Sequence, residues 1–552
     1  MSVAPRRSRY DGTEACGQEG AREEDGGQEG PREDGARAQG RGEEGAGQEG
    51  CCEEGTREED RGQEGTREKN NRTEDHRSLI IRSAFVQVTR LAGAPLDFAA
   101  LRSELAVPGE FSSTVLAEAE HAAAHVELPD DDATDIPFVT VDPLGSKDLD
   151  QALHIAAAAD GYLVSYAIAD VAAFVQPGSE LDAEVARRGE TLYFPDARVP
   201  LHPAVLSEGA ASLLPDQLRP AVLWQIGLDA AGAVTHTTVR HARVRSRAQL
   251  DYFGLQDMYA RDAAPEAVTL LPKVGALRLA QARQRHAINL DVAEQDVVRD
   301  SAGQWTLKLR AQLDVEKWNA EMSLLAGMAA AALMVSHGVG VLRTLPPPEP
   351  KVIGWLRSVA PALDVRWPKG VTAGDVVADL DQSSPKHMAF LDHAMSLLRG
   401  AAYVSLGETP VDDLIHAGVG APYAHVTAPL RRLVDRYTST LCMLLARGAE
   451  VPDWVQAELP ALPSVMEKGE QRASNVDRAV VDMTEAWLLR DRIGERFEAI
   501  PLDTEEDRTK IAILEPAIRA SARGAGFFIG EPATVQLTEA DVTARLVRFT
   551  KI

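Results

Sequence analysis

The segment DIPFVTVDPLGSKDLDQALHI, residues 135–155, decides how the rest of the chain is interpreted. Residues 138–141 form a β-type run that ends in Asp142, and a Pro-Leu-Gly-Ser turn leads to Asp148 and Asp150. Side chains two residues apart in an extended chain face the same side, so Asp148 and Asp150 point together. Asp142 can approach them across the turn. Three crowded carboxylates repel one another unless a cation lies between them, so the segment predicts a cation site.

The ligand type narrows the chemistry of this site. Ligands that offer only oxygen favour Mg²⁺ or Mn²⁺ over zinc. A hard divalent ion held by aspartates suits phosphodiester hydrolysis, because the ion activates water and neutralises the scissile phosphate. Two other interpretations compete. An Asp-x-Asp pair is often part of a solvated turn, and a calcium loop is another alternative, although the EF-hand spacing and its closing Glu are absent.

The composition describes a chain of several globular domains. It has 552 residues, of which 44% are hydrophobic and 26% charged, and its net charge is −26. At roughly 150 residues per domain, about three or four domains are expected. Four cysteines exclude a disulfide scaffold and suit a reducing cytoplasm. The acidic balance does not by itself suggest nucleic acid, but net charge does not fix local charge, so a basic channel remains compatible with it.

The sequence predicts a cytoplasmic protein without a membrane segment. No charged region followed by an apolar run opens the chain, so no secretory signal is expected. Residues 322–342 carry no charge and are long enough to span a bilayer. This stretch is mostly Ala and Gly, with Ser323, Ser336 and His337 inside it, whereas Leu, Ile, Phe and Val dominate real spans. A buried helix is therefore predicted.

The chain divides into five predicted regions. Residues 1–77 contain four GQEG repeats and almost no large apolar side chain, which predicts a disordered acidic tail. Residues 78–130 predict a helix-turn-helix-like module, with Ser113 as the cap of its second helix, although a plain packing module fits the same pattern. Residues 131–455 predict a catalytic domain and 456–492 a helical connection. Short alternating strands over 493–552 predict a small barrel.

The aspartate segment resembles the catalytic motif of the RNase II/RNase R family, the RNB exoribonucleases. Further blocks follow in family order across residues 136–450: YAIADVAAFVQPGSELD from residue 166, Glu321 with LLA at 324–326, RTLPPPEPK at 343–351 and YAHVTAPLRRLVD at 423–435. The resemblance implies an α+β multidomain fold with a mixed α/β RNB domain, a small N-terminal helix-turn-helix-like (winged-helix) module and a C-terminal OB-fold β-barrel. Residues 529–549 resemble the closing strands of that barrel.

The resemblance also assigns roles position by position. It implies metal ligation by Asp142, Asp148, Asp150 and the residue at position 151, with Asp150 indispensable for cleavage. Arg431 would contact the scissile phosphate, and Tyr193 would stack on the terminal base. Stacking tolerates any base, which suits a non-specific degrader. Arg432 would bind the RNA backbone, and Glu321 would be structural or line the channel. From the residues alone, the favoured interpretation of Tyr193 is a core aromatic, and that of Arg431 and Arg432 is a surface pair at the start of a helix.

The implied function is processive 3′→5′ hydrolysis of single-stranded RNA to nucleoside 5′-monophosphates by a Mg²⁺-dependent monomer, with Mn²⁺ as the alternative ion. The chain departs from the family where Gln151 replaces an Asp, which weakens one metal ligand, and where Ala428 replaces a Ser. Residues 78–130 are too few for the two cold-shock domains that are usual in the family. Gln151 keeps a second hypothesis open, a catalytically impaired RNA-binding or regulatory protein. A DNA-acting nuclease is a third.

Overall fold

The computed structural model describes residues 96–407 and 414–552. The chain divides into a unit over Met1–Val88, outside the described residues, and a unit over Thr89–Ile552. The predicted tail at 1–77 and the first part of the helix-turn-helix-like module therefore lie outside the described residues.

Helices and strands alternate along most of the described chain. The helices are α1 (Phe98–Glu104), α2 (Ser113–His125), α3 (Glu180–Arg188), α4 (Tyr252–Ala260), α5 (Leu271–Gln284), α6 (Asp314–His337), α7 (Pro350–Val359), α8 (Ala373–Ala378), α9 (Pro385–Ala394), α10 (Leu433–Ala446), α11 (Asp453–Glu458) and α12 (Leu462–Leu489). The strands are β1 (Val139–Asp142), β2 (Gln151–Ala158), β3 (Gly161–Ala169), β4 (Leu192–Tyr193), β5 (Arg198–Val199), β6 (Leu218–Asp229), β7 (Val234–Arg245), β8 (Ala248–Asp251), β9 (Glu294–Arg299), β10 (Trp305–Arg310), β11 (Val341–Thr344), β12 (Ala402–Ser405), β13 (Ile415–His416), β14 (Ala421–Pro422), β15 (Arg496–Glu505), β16 (Arg508–Ile513), β17 (Ile518–Arg523), β18 (Ala533–Asp541) and β19 (Leu546–Lys551).

A six-stranded sheet in the order β7-β6-β3-β2-β1-β8 forms the centre of the catalytic domain. Its neighbours are antiparallel except β1 and β8, which run parallel. Apolar side chains from β2, β3 and β6, including the fully buried Trp224, belong to one large core cluster. Burial of such side chains contributes about 1.5–3 kcal/mol each, which fixes the register of the sheet. The sheet therefore holds the ends of β1 and β2 in place.

Helix α6 contributes to this core. It is the one helix among the described residues whose length and apolar composition would allow it to cross a membrane. Its buried residues include Met322, Leu325 and Met334, which join the same core cluster as the sheet. The uncharged stretch thus forms a helix that is 44% buried over its most apolar window, with one side in the core, as the prediction of a core helix requires. Ala and Gly in it allow close packing, and Gly327 lies directly against Tyr423 and the backbone of Ala424.

The C-terminal region is a closed five-stranded barrel in the order β15-β16-β17-β19-β18. Its interior is apolar, and the rings of Phe497 and Phe549 meet edge to face at 5.6 Å between centroids. Closure leaves no free sheet edge. The predicted mixed α/β core followed by a small barrel is confirmed.

The two N-terminal helices pack on different parts of the protein. Helix α1 is capped by Asp97 and joins a cluster with β4 and α12. Helix α2 is capped by Ser112, whose Oγ accepts a hydrogen bond from the Val115 amide, so the predicted cap at Ser113 is one residue late. Helix α2 belongs to the main core cluster instead. Since residues 78–95 lie outside the described part, the helix-turn-helix interpretation stays a prediction.

Candidate active site

The carboxylate site forms where the chain turns from β1 to β2. Val139 pairs with Leu153 in an antiparallel register, so the last residues of β1 and the first residues of β2 lie at the same end of the sheet. The connecting turn is closed by a hydrogen bond from the Ser146 amide to the Pro143 carbonyl at 3.1 Å. The backbone at Asp150 is fixed as well, because its carbonyl accepts from the Ala169 amide at 2.9 Å. The predicted approach of Asp142 to Asp148 and Asp150 therefore follows from the antiparallel pairing of β1 with β2, and the charge of Asp148 acts on Asp142.

Asp150 is the most constrained carboxylate of the site. The residue is 3% exposed, and its Oδ1 accepts a hydrogen bond from the Leu430 amide at 2.7 Å. Oδ2 lies 3.4 Å from Nε of Arg431. Burial raises the pKa of Asp150 to about 8, although the positive charge of Arg431 and the Leu430 hydrogen bond oppose this. The site thus holds a buried carboxyl group that lacks enough positive charge to ionise readily.

Asp142 is also a buried carboxyl group with too little positive charge around it. Burial raises its pKa to about 7; Arg431 opposes the shift and the charge of Asp148 adds to it. Its buried Oδ2 has no hydrogen-bond partner among the described residues. A buried carboxylate oxygen without a donor is costly unless a cation compensates it. Asp142 and Asp150 are therefore both electrostatically suited to a shared cation.

Asp148 is held by a residue that the sequence reasoning missed. Its Oδ1 accepts from Nη1 of Arg198 at 2.6 Å, and Tyr193 Oη donates to Oδ2 at 3.4 Å. Arg198 also pairs with Glu208 at 2.8 Å. The register of β4 and β5 places Tyr193 directly beside Arg198. The Pro-Asp pair between these strands is a turn signal that could have revealed this hairpin.

Tyr193 presents an exposed ring beside the carboxylates. It is 47% exposed, although its neighbours Leu192 and Phe194 are buried. The ring therefore does not serve the core, which removes the alternative interpretation of a core aromatic. An exposed ring beside the carboxylates is available for stacking on an aromatic ligand such as a base.

Gln151 has contacts different from those predicted for a metal ligand. Its Oε1 accepts from the hydroxyl of Tyr166 at 2.9 Å, and its Nε2 donates to the Thr427 carbonyl at 2.6 Å. Tyr166 is fully buried and lies 2.9 Å from Oγ of Ser323. Both ends of the amide are thus engaged by the protein, and Gln151 ties β2 to the loop that carries Arg431. Sequence reasoning missed Tyr166 and Ser323.

Arg431 and Arg432 are adjacent but have different surroundings. The Arg431 side chain is 45% exposed and faces Asp150. Arg432 forms a bidentate pair with Asp435, with distances of 3.0 and 2.9 Å, and Asp435 also accepts from the Ala428 amide. Two parallel hydrogen bonds orient a guanidinium strongly. Arg432 thus fixes the loop that presents Arg431, and its predicted contact with RNA stays a prediction.

Glu321 is not brought to the carboxylate site. On α6, Asn319 donates to the Val141 carbonyl and Ser323 lies at Tyr166, so these two residues face the sheet near the site. Glu321 lies between them in sequence and therefore points to another side of the helix. The charges acting on it come from Arg278 and Arg285 of the α5 region. Its predicted role in RNA binding has no support from this placement.

The residues present fit one divalent cation better than two. Asp142 and Asp150 supply hard oxygen ligands with uncompensated charge, whereas Asp148 is already paired with Arg198. Across residues 96–407 and 414–552, no three His, Cys, Asp or Glu side chains are grouped closely enough to hold a metal ion. Asp148 would have to leave Arg198 to become a third ligand. A second ion would need the amide oxygen that Tyr166 orients.

Comparison with protein-family models gives two matches. The RNB domain matches residues 131–445, and the RNase II-type exonuclease C-terminal S1 domain matches residues 495–552. Curated relatives include Ribonuclease R of Mycoplasma pneumoniae, 27% identical over 66% of this chain and 53% of that protein. Exoribonuclease 2 of Edwardsiella piscicida is 27% identical over 70% of this chain and 61% of that protein. The chain thus spans little more than half the length of these relatives.

Solved structures show the same fold. The apo form of Mycoplasma genitalium RNase R superposes with a TM-score of 0.73 at 22% identity, covering 82% of this chain and 77% of that one. Yeast Ssd1, described as a pseudonuclease, has a TM-score of 0.61 at 14% identity and covers 76% and 54% of the two chains. Because the RNB domain match spans more than half of the sequence, the chain belongs to the RNB family and carries an RNase II-type C-terminal S1 domain.

Proposed function

We propose that this protein is a metal-dependent 3′→5′ exoribonuclease that degrades single-stranded RNA processively to nucleoside 5′-monophosphates. The observation that carries the proposal is the convergence of Asp142, Asp148 and Asp150 with Arg431 and the exposed ring of Tyr193. These residues come from three separate parts of the sequence. They combine negative charge for a cation, positive charge for a phosphate and a ring for a base.

Each side chain has a role that follows from its position. The half-exposed guanidinium of Arg431 can pair with two oxygens of the scissile phosphate and offset charge that develops in the transition state. The Leu430 hydrogen bond holds Asp150 in one orientation. Tyr193 would stack on the 3′-terminal base. Arg198 positions both Tyr193 and Asp148 through the short hairpin.

Asp142 and Asp150 would hold one divalent cation, Mg²⁺ or Mn²⁺. When bound, this ion would supply positive charge at the scissile phosphate and acidify the attacking water. The support for the ion is the charge deficit of the two buried carboxyl groups and the unpartnered oxygen of Asp142. With Gln151 neutral and engaged on both sides, the protein would work with one tightly held ion.

The relatives support RNA as the substrate. Mycoplasma genitalium RNase R has been solved with single-stranded and double-stranded RNA, at 21% and 22% identity to this chain. The S1-type barrel offers a second surface for the RNA strand. Recognition of RNA over DNA would rest on the 2′-hydroxyl rather than on base edges. Cytoplasmic location, a monomeric state and the absence of a membrane stay predictions.

Gln151 favours a second candidate function, a catalytically impaired RNA-binding protein. The neutral amide removes one charge from the metal site and is locked by Tyr166 and Thr427. Yeast Ssd1, which is described as a pseudonuclease, shares the fold and supports this candidate. The retained set of Asp142, Asp150, Tyr193 and Arg431 favours activity.

A gel assay separates the two functions. The full chain is incubated with 5′-labelled single-stranded RNA and Mg²⁺ or Mn²⁺, and the products are resolved at single-nucleotide steps. An exoribonuclease gives a ladder that shortens from the 3′ end. An intact RNA that is only shifted on a native gel would support the binding protein. Competition with a DNA oligomer of the same sequence tests the remaining alternative, a DNA-acting nuclease.

A matched variant assigns the cleavage to this site. Asp150→Asn keeps the shape of the side chain and the oxygen that accepts from the Leu430 amide. We expect it to abolish cleavage and to leave RNA binding within about twofold of the wild type. Cleavage by Asp150→Asn at the wild-type rate would contradict the site assignment.

A further inference from the structure

A cavity of about 670 Å³ lies at the other edge of the central sheet, away from the carboxylates. It is formed by β7, by α5 and by the second half of α6, whereas Asp142 lies on β1 near the opposite edge. Most of its lining is small or aliphatic. The lining includes Val234, Val239, Met328, Ala329, Ala332 and Leu333. A cavity of this size is large enough for a small organic molecule.

Two arginines line this cavity, and each has a buried nitrogen without a partner. Arg278 is 3% exposed, and its Nη1 donates to the Gly232 carbonyl at 2.8 Å, which fixes the guanidinium. Its Nε has no hydrogen-bond partner among the described residues. Arg285 donates from Nε to the Val419 carbonyl at 3.1 Å, and its buried Nη2 is also unpartnered. Oε2 of Glu321, which lies under the charges of both arginines, is also buried and unpartnered, so these three groups do not satisfy one another.

The local charge balance specifies the sign of that ligand. Glu321 is 3% exposed and is the one acidic residue, among those described, whose charge acts on both arginines. Two guanidinium groups and one carboxylate leave one positive charge uncompensated. Burial lowers the pKa of Arg278 to about 10, which shows how poorly this charge is solvated. An anion in the cavity would supply the missing partner.

We propose that this cavity binds a small amphiphilic anion, with a carboxylate or phosphate-monoester head on Arg278 and Arg285. A short aliphatic body would pack against Met328, Ala329 and Leu333 of α6. The cavity lining contains no aromatic ring, so a nucleobase would find no stacking partner there. The proposal is independent of the proposed ribonuclease activity, because the cavity shares no residue with the carboxylate site.

Calorimetric titration of the full chain tests this proposal. The probes are octanoate and octyl phosphate, and 1-octanol is the uncharged control of the same chain length. We expect at least one anion to bind at least about tenfold more tightly than octanol, because a hydrogen bond to a charged group is worth about 1.5–3 kcal/mol. Binding of octanoate alone identifies a carboxylate ligand, and binding of octyl phosphate alone identifies a phosphate ligand.

Variants of charged residues around the cavity separate ligand binding from packing. Arg285→Gln should weaken anion binding about tenfold, whereas Arg283→Gln, an exposed arginine on the same helix outside the cavity, should not change it. Glu321→Gln should tighten binding, because it removes the competing carboxylate. A structural role alone would not produce this gain. Ala332 lies at the exposed rim of the cavity, so Ala332→Leu should block entry of the anion. This variant replaces Arg285→Gln in the test if Arg285→Gln does not fold. Equal binding of octanol and the anions, or no binding of either anion, would overturn the proposal.

Discussion

Gln151→Glu is the substitution that probes the site most finely, because it changes one atom type and keeps the shape. In the wild type, Nε2 of Gln151 donates to the Thr427 carbonyl at 2.6 Å and Oε1 accepts from Tyr166. An ionised carboxylate at this position would set an oxygen against the Thr427 carbonyl oxygen. A protonated carboxyl group can still donate to Thr427 and accept from Tyr166. The fold therefore favours the protonated form.

The size of the effect follows from the lost hydrogen bond. A buried acceptor left without its donor costs about 1–3 kcal/mol. One pKa unit corresponds to about 1.4 kcal/mol, so the introduced carboxyl group should have a folded pKa about one to two units above its usual value of about 4.3. The pKa of this carboxyl group is higher in the folded state than in the unfolded state. The stability that its protonated form contributes to Gln151→Glu is therefore fully present below about pH 4.3. It is lost as the pH rises through the folded pKa, that is, between about pH 4.3 and 7.

Urea unfolding of the metal-free protein at about pH 4.5 and about pH 8 measures this difference. Gln151→Glu should match the wild type closely at the lower pH and lose about 1–3 kcal/mol at the higher one. Gln225→Glu on β6 is the matched control. Its oxygen accepts from Nη1 of Arg240 at 2.6 Å, so a carboxylate gains a charged partner there and the pH trend should reverse. Equal losses at both pH values in Gln151→Glu would refute the hydrogen-bond arrangement.

Three further predictions concern the proposed ribonuclease. Arg431→Lys should lower the cleavage rate by about 10²–10³-fold with little change in RNA affinity, because a point charge cannot replace the planar guanidinium; single-turnover kinetics measure this. Tyr193→Ala should weaken binding of the RNA 3′ end by about 1–3 kcal/mol, and Tyr193→Phe should retain it, as measured by fluorescence anisotropy. The pKa of Asp142 is raised to about 7 and that of Asp150 to about 8, above unfolded values of about 3.9. The stability that these two carboxyl groups contribute to the metal-free protein should therefore be fully present below about pH 4 and be lost up to about pH 8. For Asp150, the difference between the wild type and Asp150→Asn in urea titrations measures this contribution, and Mn²⁺ affinity should rise over the same range.

The local part of the site could be predicted from the sequence. Asp142, Asp148 and Asp150 lie within one turn, and a β-type run followed by a turn is enough to bring them together. The barrel was predictable from the alternation of apolar residues in its strands. The Pro-Asp signal between Tyr193 and Arg198 indicates their hairpin, but not the contact of Arg198 with Asp148, which lies 50 residues away.

The distant contacts of the site could not be predicted in this way. Gln151 is held by Tyr166, 15 residues away, and by Thr427, 276 residues away. Tyr166 lies on β3, the neighbour of β2, but no periodicity along the chain encodes the contact with Thr427, because it depends on how the loop before α10 packs on the sheet. Glu321 is the opposite case, because the sequence predicts it at the site and the structure places it elsewhere. Its motif suggests a site residue, but the rotation per residue along α6 directs it toward Arg278 and Arg285.

The most direct test of the central claim follows the first product released from 3′-end-labelled single-stranded RNA. With a divalent cation, the wild type should release the label as a nucleoside 5′-monophosphate at the earliest time points, while Asp150→Asn and the wild type in EDTA should release none. Label that first leaves in longer fragments, or release that Asp150→Asn performs equally, would contradict an exonuclease site built on Asp150.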